Sequence, residues 1–151
     1  MELQLSHASE RGQPAEFEAA LAEHRQWLQR WHRARLCGEP AGEDILCADA
    51  ERRCAIGQWL ARQQVFSVTN FVEAHAALHA EAKRLAQTAP GPLAQTDYAG
   101  LLQAVENFEL LAQPIQRAFE RALSDLDPLT GLLNRRAMRV ALERDAHGAA
   151  V

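Results

Sequence analysis

No stretch of this chain approaches the roughly 20 consecutive apolar residues that a membrane-spanning helix needs, so no membrane insertion is expected. Lys and Arg never gather into a block, and the net charge is −4, which argues against a nucleic-acid partner. The opening MELQLSHASERGQPAEF lacks the basic end and apolar run of a secretory signal. Cysteine is scarce: three residues, an odd number, do not make a disulfide framework. The expectation is a reduced, cytoplasmic protein whose thiols are free for metal or redox chemistry. Strand-like alternation is missing too, and no segment repeats. What is present, 48% apolar and 24% charged residues over 151 positions, suits one compact domain with a real core.

The composition favours helix, being rich in Ala, Leu, Gln, Glu and Arg. Pro14 fits a first helical turn, and Phe17, Leu21, His24, Trp27, Leu28 and Trp31 then recur at three- and four-residue steps. This first helix is predicted to run to about Leu36. Cys37 to Gly42 reads as a loop by its Gly and Pro content, and a shorter helix is predicted from Asp49 to about Gln63. A third helix begins near Ser67 or Thr69, carries Val68, Phe71, Val72, His75, Leu78, His79, Ala82 and Leu85 on one face, and ends before Ala89-Pro90-Gly91-Pro92. A fourth runs from Thr96-Asp97 to about Leu126, with Pro114 expected to kink it or to be absorbed as a local break. Asn134 to about Asp145 can start a fifth. The fold expected is all-α, an antiparallel four-helix bundle with one shorter helix.

Histidines occupy places in these stripes that apolar residues would normally fill. His24 lies in the first, and His75 and His79 lie in the third, spaced i, i+4 so that both rings leave one helical face. Neutral imidazole and thiolate are the donors a tetrahedral zinc site uses, and bundles build such sites from facing helices. Three histidines and one cysteine would complete the tetrahedron. Spacing alone leaves Cys37, Cys47 and Cys54 all available as the fourth ligand. A core histidine held by an ordinary hydrogen bond is the competing explanation for each ring.

Three local patterns narrow the choice. His24-Arg25-Gln26-Trp27, Cys54-Ala55-Ile56-Gly57-Gln58-Trp59 and His75-Ala76-Ala77-Leu78-His79 resemble, in order, the three motifs of the chemoreceptor zinc-binding (CZB) domain, and together they span most of residues 17–90. The resemblance implies one zinc held by His24, Cys54, His75 and His79, with Cys37 and Cys47 as spectators. It departs from the family in the stretch 60–74 between Trp59 and His75, which is short and bears on the loop before the third helix. Gly57, without a side chain, permits close approach of another backbone or of the metal's surroundings. Trp27 and Trp59 are large enough to shield a site from water, or to serve simply as core.

A second resemblance follows. Asp127-Pro128-Leu129-Thr130-Gly131-Leu132-Leu133-Asn134-Arg135-Arg136 is similar to the segment that opens GGDEF domains, which make cyclic di-GMP from two GTP molecules. This divides the chain into a zinc-binding bundle over 1–126 and the start of a GGDEF domain over 127–151. The family's metal-binding acidic residues and signature loop lie further downstream than Val151, so no catalysis is expected from these residues themselves. Because each GGDEF domain carries one GTP, a homodimer through the bundle is expected. Zinc binding is expected to draw the first three helices together, and resemblance to zinc-inhibited cyclases implies that this holds an attached diguanylate cyclase in a poorly productive arrangement. Two alternatives use the same four residues: a sensor of oxidants such as hypochlorous acid through the zinc-bound cysteine, and a dimerisation bundle with a permanent structural zinc. A zinc hydrolase is disfavoured, since four protein ligands leave no open position.

Overall fold

In the computed structural model, residues 13–62, 69–124, 138, 139 and 142 are described. Among them are six helices and no strand, so the fold is all-α. The first, α1, spans Gln13–Cys37, with Glu16 in its first turn and Arg35 in its last, each favourable toward the helix dipole. It stops at Gly38, whose φ of 74° is the left-handed geometry that ends many helices and that glycine adopts without strain.

The next segment differs from expectation. A short α2, Glu43–Leu46, occupies part of what was expected to be open chain, anchored by the buried Ile45. Four residues are too few to display a periodic stripe, which is why the sequence does not announce them. The single helix expected from Asp49 is split into α3, Ala50–Arg53, and α4, Ala55–Arg62. The split falls at Cys54, whose backbone is extended with ψ 160°.

Helix α5, Thr69–Ala86, begins within the expected window; Ser67 lies outside the described residues. Its end is well tied. Thr88 Oγ1 donates to the Leu85 carbonyl at 2.6 Å, and Arg35 from the end of α1 donates to the carbonyls of Leu85, Ala89 and Gly91 at 3.0, 3.1 and 2.7 Å. The bonds to Leu85 satisfy a carbonyl that the helix end leaves without an intrahelical partner, and those to Ala89 and Gly91 pin the turn that follows. Helix α6, Gln95–Ser124, is continuous through Pro114 rather than ending there. The expected helix over 134–145 falls almost wholly outside the described residues; 138, 139 and 142 are helical. Among the described residues, no helix is long and apolar enough to cross a membrane.

Side-chain pairings set the directions of the long helices. Phe17 meets Phe71, His24 meets His79, and Trp31 Nε1 donates to the Ala82 carbonyl at 2.7 Å, so α1 and α5 ascend together. Between α1 and α6 the numbers run oppositely: Glu18 with Gln116, Arg25 with Glu109, His32 with Tyr98. One end of the core is an aromatic layer in which the Phe17 ring lies 4.6 Å from Trp59 and 5.9 Å from Phe119. The other end is filled by Trp31, Leu85 and Leu101, all fully buried. Burying side chains of this size contributes about 1.5–3 kcal/mol each. The histidines lie between these two apolar layers.

Candidate metal centre

His24, His75 and His79 are only 3, 3 and 5% exposed. Each sits where the helical period of its stripe calls for an apolar side chain, so burial of the stripe carries the ring inward. Cys54 arrives differently, from the extended residue between α3 and α4. One donor atom from each of the four side chains lies within 4.8 Å of all the others. Zinc bonds of 2.0–2.3 Å set tetrahedral donors about 3.3–3.8 Å apart, so the group would close on an ion by movement on the order of 1 Å.

Among the described residues, three of the four buried side-chain nitrogens without a partner belong to this cluster, the fourth being Trp59 Nε1. Cys54 Sγ lies 3.1 Å from His75 Nε2. His24 Nε2 and both ring nitrogens of His79 are buried with no partner. A ring held in a core by ordinary hydrogen bonding would not look like this, because a buried polar atom left unpaired costs about 1–3 kcal/mol. Apolar neighbours fill the space around the rings instead. His24 stacks on Phe108 at 4.5 Å between ring centres, and His79 stacks on Trp27 at 4.2 Å. Trp27 is in turn held by donation from its Nε1 to the Asp44 carbonyl at 2.9 Å, which ties α2 to the wall of the site.

Electrostatics leave the imidazoles as free bases. Burial, with the fields of His75, His79 and Arg25 behind it, lowers His24 to about 2. Burial and then His79 lower His75 to about 3. Burial lowers His79 to about 4, against a smaller opposing pull from Asp44. All three rings are therefore neutral near pH 7 and hold lone pairs ready for a metal. Burial pushes the Cys54 thiol up, while the N–H groups of Gly57 and Ile56 act the other way. The Gly57 N–H lies 3.3 Å from Sγ, placed to donate to a thiolate once one forms, and the thiol itself reaches the Glu51 carbonyl at 3.3 Å.

Gly57 sets the position of this cysteine. A Cβ there would run into the Glu51 carbonyl oxygen and come 2.9 Å from Arg52 Cα, both backbone atoms that cannot swing away. The absent side chain lets α4 fold back on α3, which turns Sγ toward the histidines. Gly57→Ala is expected to lower stability by about 1–3 kcal/mol or more, as overpacking does, and to weaken metal binding together with it. Thermal melting with and without zinc measures both; a variant unchanged in both would mean that the tight turn does not position Cys54.

The other expected residues fall elsewhere. Trp27 walls the site, whereas Trp59 packs against Phe17 and Phe119 in the aromatic end of the core. Cys37 is exposed, and the half-buried Cys47 donates to Asp49 Oδ1 at 2.7 Å. Glu23 and Glu73 are exposed, and neither is paired with His24, His75 or His79 in the described contacts. Phe108 and Asp44 take part in the site without having been expected there. Phe108 was legible only as one apolar position in a stripe, and Asp44 holds Trp27 through its backbone carbonyl, which no side-chain pattern signals. In comparison with known proteins, the chain matches no family model, no curated protein and no solved structure.

Proposed function

We propose that this chain is a zinc-binding regulatory module of the CZB type, built as an up-and-down four-helix bundle, that dimerises and controls an attached diguanylate cyclase. The observation that carries the metal half is the buried convergence of three neutral histidines and a cysteine, with three ring nitrogens lacking any other partner. The donor set fits zinc: three neutral nitrogens and one sulfur, already in the proportions of a closed tetrahedral site. Bound zinc supplies a single positive charge centre that four side chains can share. His24 on α1, Cys54 between α3 and α4, and His75 and His79 on α5 would then be cross-linked through it.

The regulatory half rests on the motif resemblance. It has physical support in the distribution of the core. The layer of Phe17, Trp59, Phe71 and Phe119 and the layer around Trp31 close without help from the histidines. A module that stays folded without metal can switch, whereas one whose only core is the metal cannot. This favours a sensor over a permanent structural zinc. Leu102 and Leu110, two turns apart on α6, remain exposed and offer a face for a second copy.

Elemental analysis tests the reading. About one zinc per chain is expected for the purified protein, with a loss in Cys54→Ala and His79→Ala. In a chain carrying a complete GGDEF domain, cyclic di-GMP synthesis is expected to fall on zinc addition and recover with chelator. Absence of zinc after loading would overturn the metal reading. A cyclase rate indifferent to both reagents would overturn the regulatory one.

A further inference from the structure

A cavity of about 550 Å³ lies between α1 and the segment that carries α2, α3 and Cys54. Its walls include Glu23, Arg30, Glu43, Asp44 and Arg53, and it reaches His24 and Cys54. His24 is 3% exposed, and its Nε2 has no hydrogen-bond partner. The mouth is charged in an ordered way. Asp44 is paired with Arg30 at 3.0 Å, and Arg53 is paired with Asp49 at 3.0 Å. Glu23 and Glu43 are exposed carboxylates beside those pairs. Two of the four clustered residues, His24 and Cys54, thus border an open, carboxylate-bearing space. A second cavity, of about 230 Å³, lies across Ala50 and is lined by His79 together with Ala76, Ala80 and Lys83. It is smaller, and its charged lining, Glu51 and Lys83, balances to zero, whereas the larger cavity sets three carboxylates against two arginines.

Resting on the zinc reading above, we propose that the larger cavity is the exchange port of the metal centre. A divalent cation reaches His24 and Cys54 through it, guided by Glu23 and Glu43, and a small chelator withdraws the ion by the same route. A fully enclosed four-ligand site would exchange only when the helices part, which is slow. A port lets exchange proceed with the core intact. Carboxylates at such a mouth raise the local cation concentration, an effect that salt suppresses.

The rates of zinc loading and of zinc removal by excess EDTA, followed by stopped flow in the whole chain, test this. Glu23→Gln with Glu43→Gln is expected to slow loading about five- to ten-fold at low ionic strength, with the difference vanishing in high salt. Ala55→Phe, which fills the larger cavity from its wall, is expected to slow loading and removal alike, on the order of ten-fold. Ala80→Phe, in the smaller cavity, is expected to change neither. Unaltered rates in the double Gln variant and in Ala55→Phe would overturn the port, as would slowing confined to Ala80→Phe. Both Gln substitutions are at exposed positions, so a folding failure of Ala55→Phe leaves the charge test standing. Wild-type protein that takes up no zinc at all fails the metal reading itself, an outcome separate from any change in rates.

Discussion

Replacing His79 with leucine is expected to make the metal-free protein more stable while removing most of its affinity for zinc. In the absence of metal both ring nitrogens of His79 are buried without partners. Each such atom costs about 1–3 kcal/mol against a hydrogen-bonded alternative, and an apolar side chain of similar volume removes that cost. Against the gain stands the lost stacking on Trp27, about 0.5–1.5 kcal/mol for a pair of this kind. Two such atoms outweigh the lost stacking, and the net is a stabilisation of about 0.5–5 kcal/mol. With zinc the order reverses. If a bound zinc contributes about 10–16 kcal/mol shared over four ligands, loss of one removes about 3 kcal/mol, a factor of a hundred or more in affinity. Melting curves in chelator and in excess zinc should therefore cross: variant above wild type without metal, below it with metal. A variant less stable under both conditions would mean that His79 is an ordinary packed residue.

The second large effect is acid unfolding of the metal-free protein. His24, His75 and His79 are held near 2, 3 and 4 by burial, whereas the same rings in an unfolded chain take up protons near 6.5. Below pH 6.5 the unfolded state thus binds more protons than the folded one, so stability is full above that pH and falls as pH drops through it. Each histidine adds a slope of about 1.4 kcal/mol per pH unit, and three together add about 4. A domain with about 5–15 kcal/mol to lose reaches its midpoint between about pH 5 and pH 3. Cys54 narrows the window from the other side. Its thiol is raised above 9.0, so stability falls as pH climbs past the point where an unfolded thiol ionises. Circular dichroism against pH in the presence of chelator measures this, and leucine at His24 or His75 should shift the acid midpoint downward. A wild-type midpoint well below pH 3 would mean that the rings reach solvent or find partners.

Much of this site was legible because histidine in an apolar stripe is a conspicuous violation. His24, His75 and His79 stand at helical spacing among Phe, Leu and Trp, so the fold that buries the stripe must also gather the rings. The long helices were legible for the same reason, since a stripe of several turns fixes both existence and inward face. Cys54 was harder. Periodicity could not choose it over Cys37 or Cys47, because its position depends on a break between two short helices and on the space left by Gly57. Helix α2 and the Asp44 carbonyl under Trp27 were not legible at all. Both depend on backbone groups and on one buried isoleucine, which leave no recurring pattern in the order of side chains. The cavity beside His24 belongs to the same class, being a property of how segments meet.

Arg35 ties the end of α1 to the Leu85 carbonyl of α5 and to the Ala89 and Gly91 carbonyls just beyond it, so that end of the helix pair would serve as a fulcrum. His24 lies 11 residues below it on α1 and Phe17 lies 18 below, about 16 Å and 27 Å along the axis. If the histidines close by about 1 Å, the level of Phe17 moves by about 1.6 times as much, as the far arm of a lever does. That level is where Phe119 packs and where α6 runs out toward Ser124. Under the zinc reading proposed above, a small tightening at the centre would be passed on, enlarged, toward Ser124.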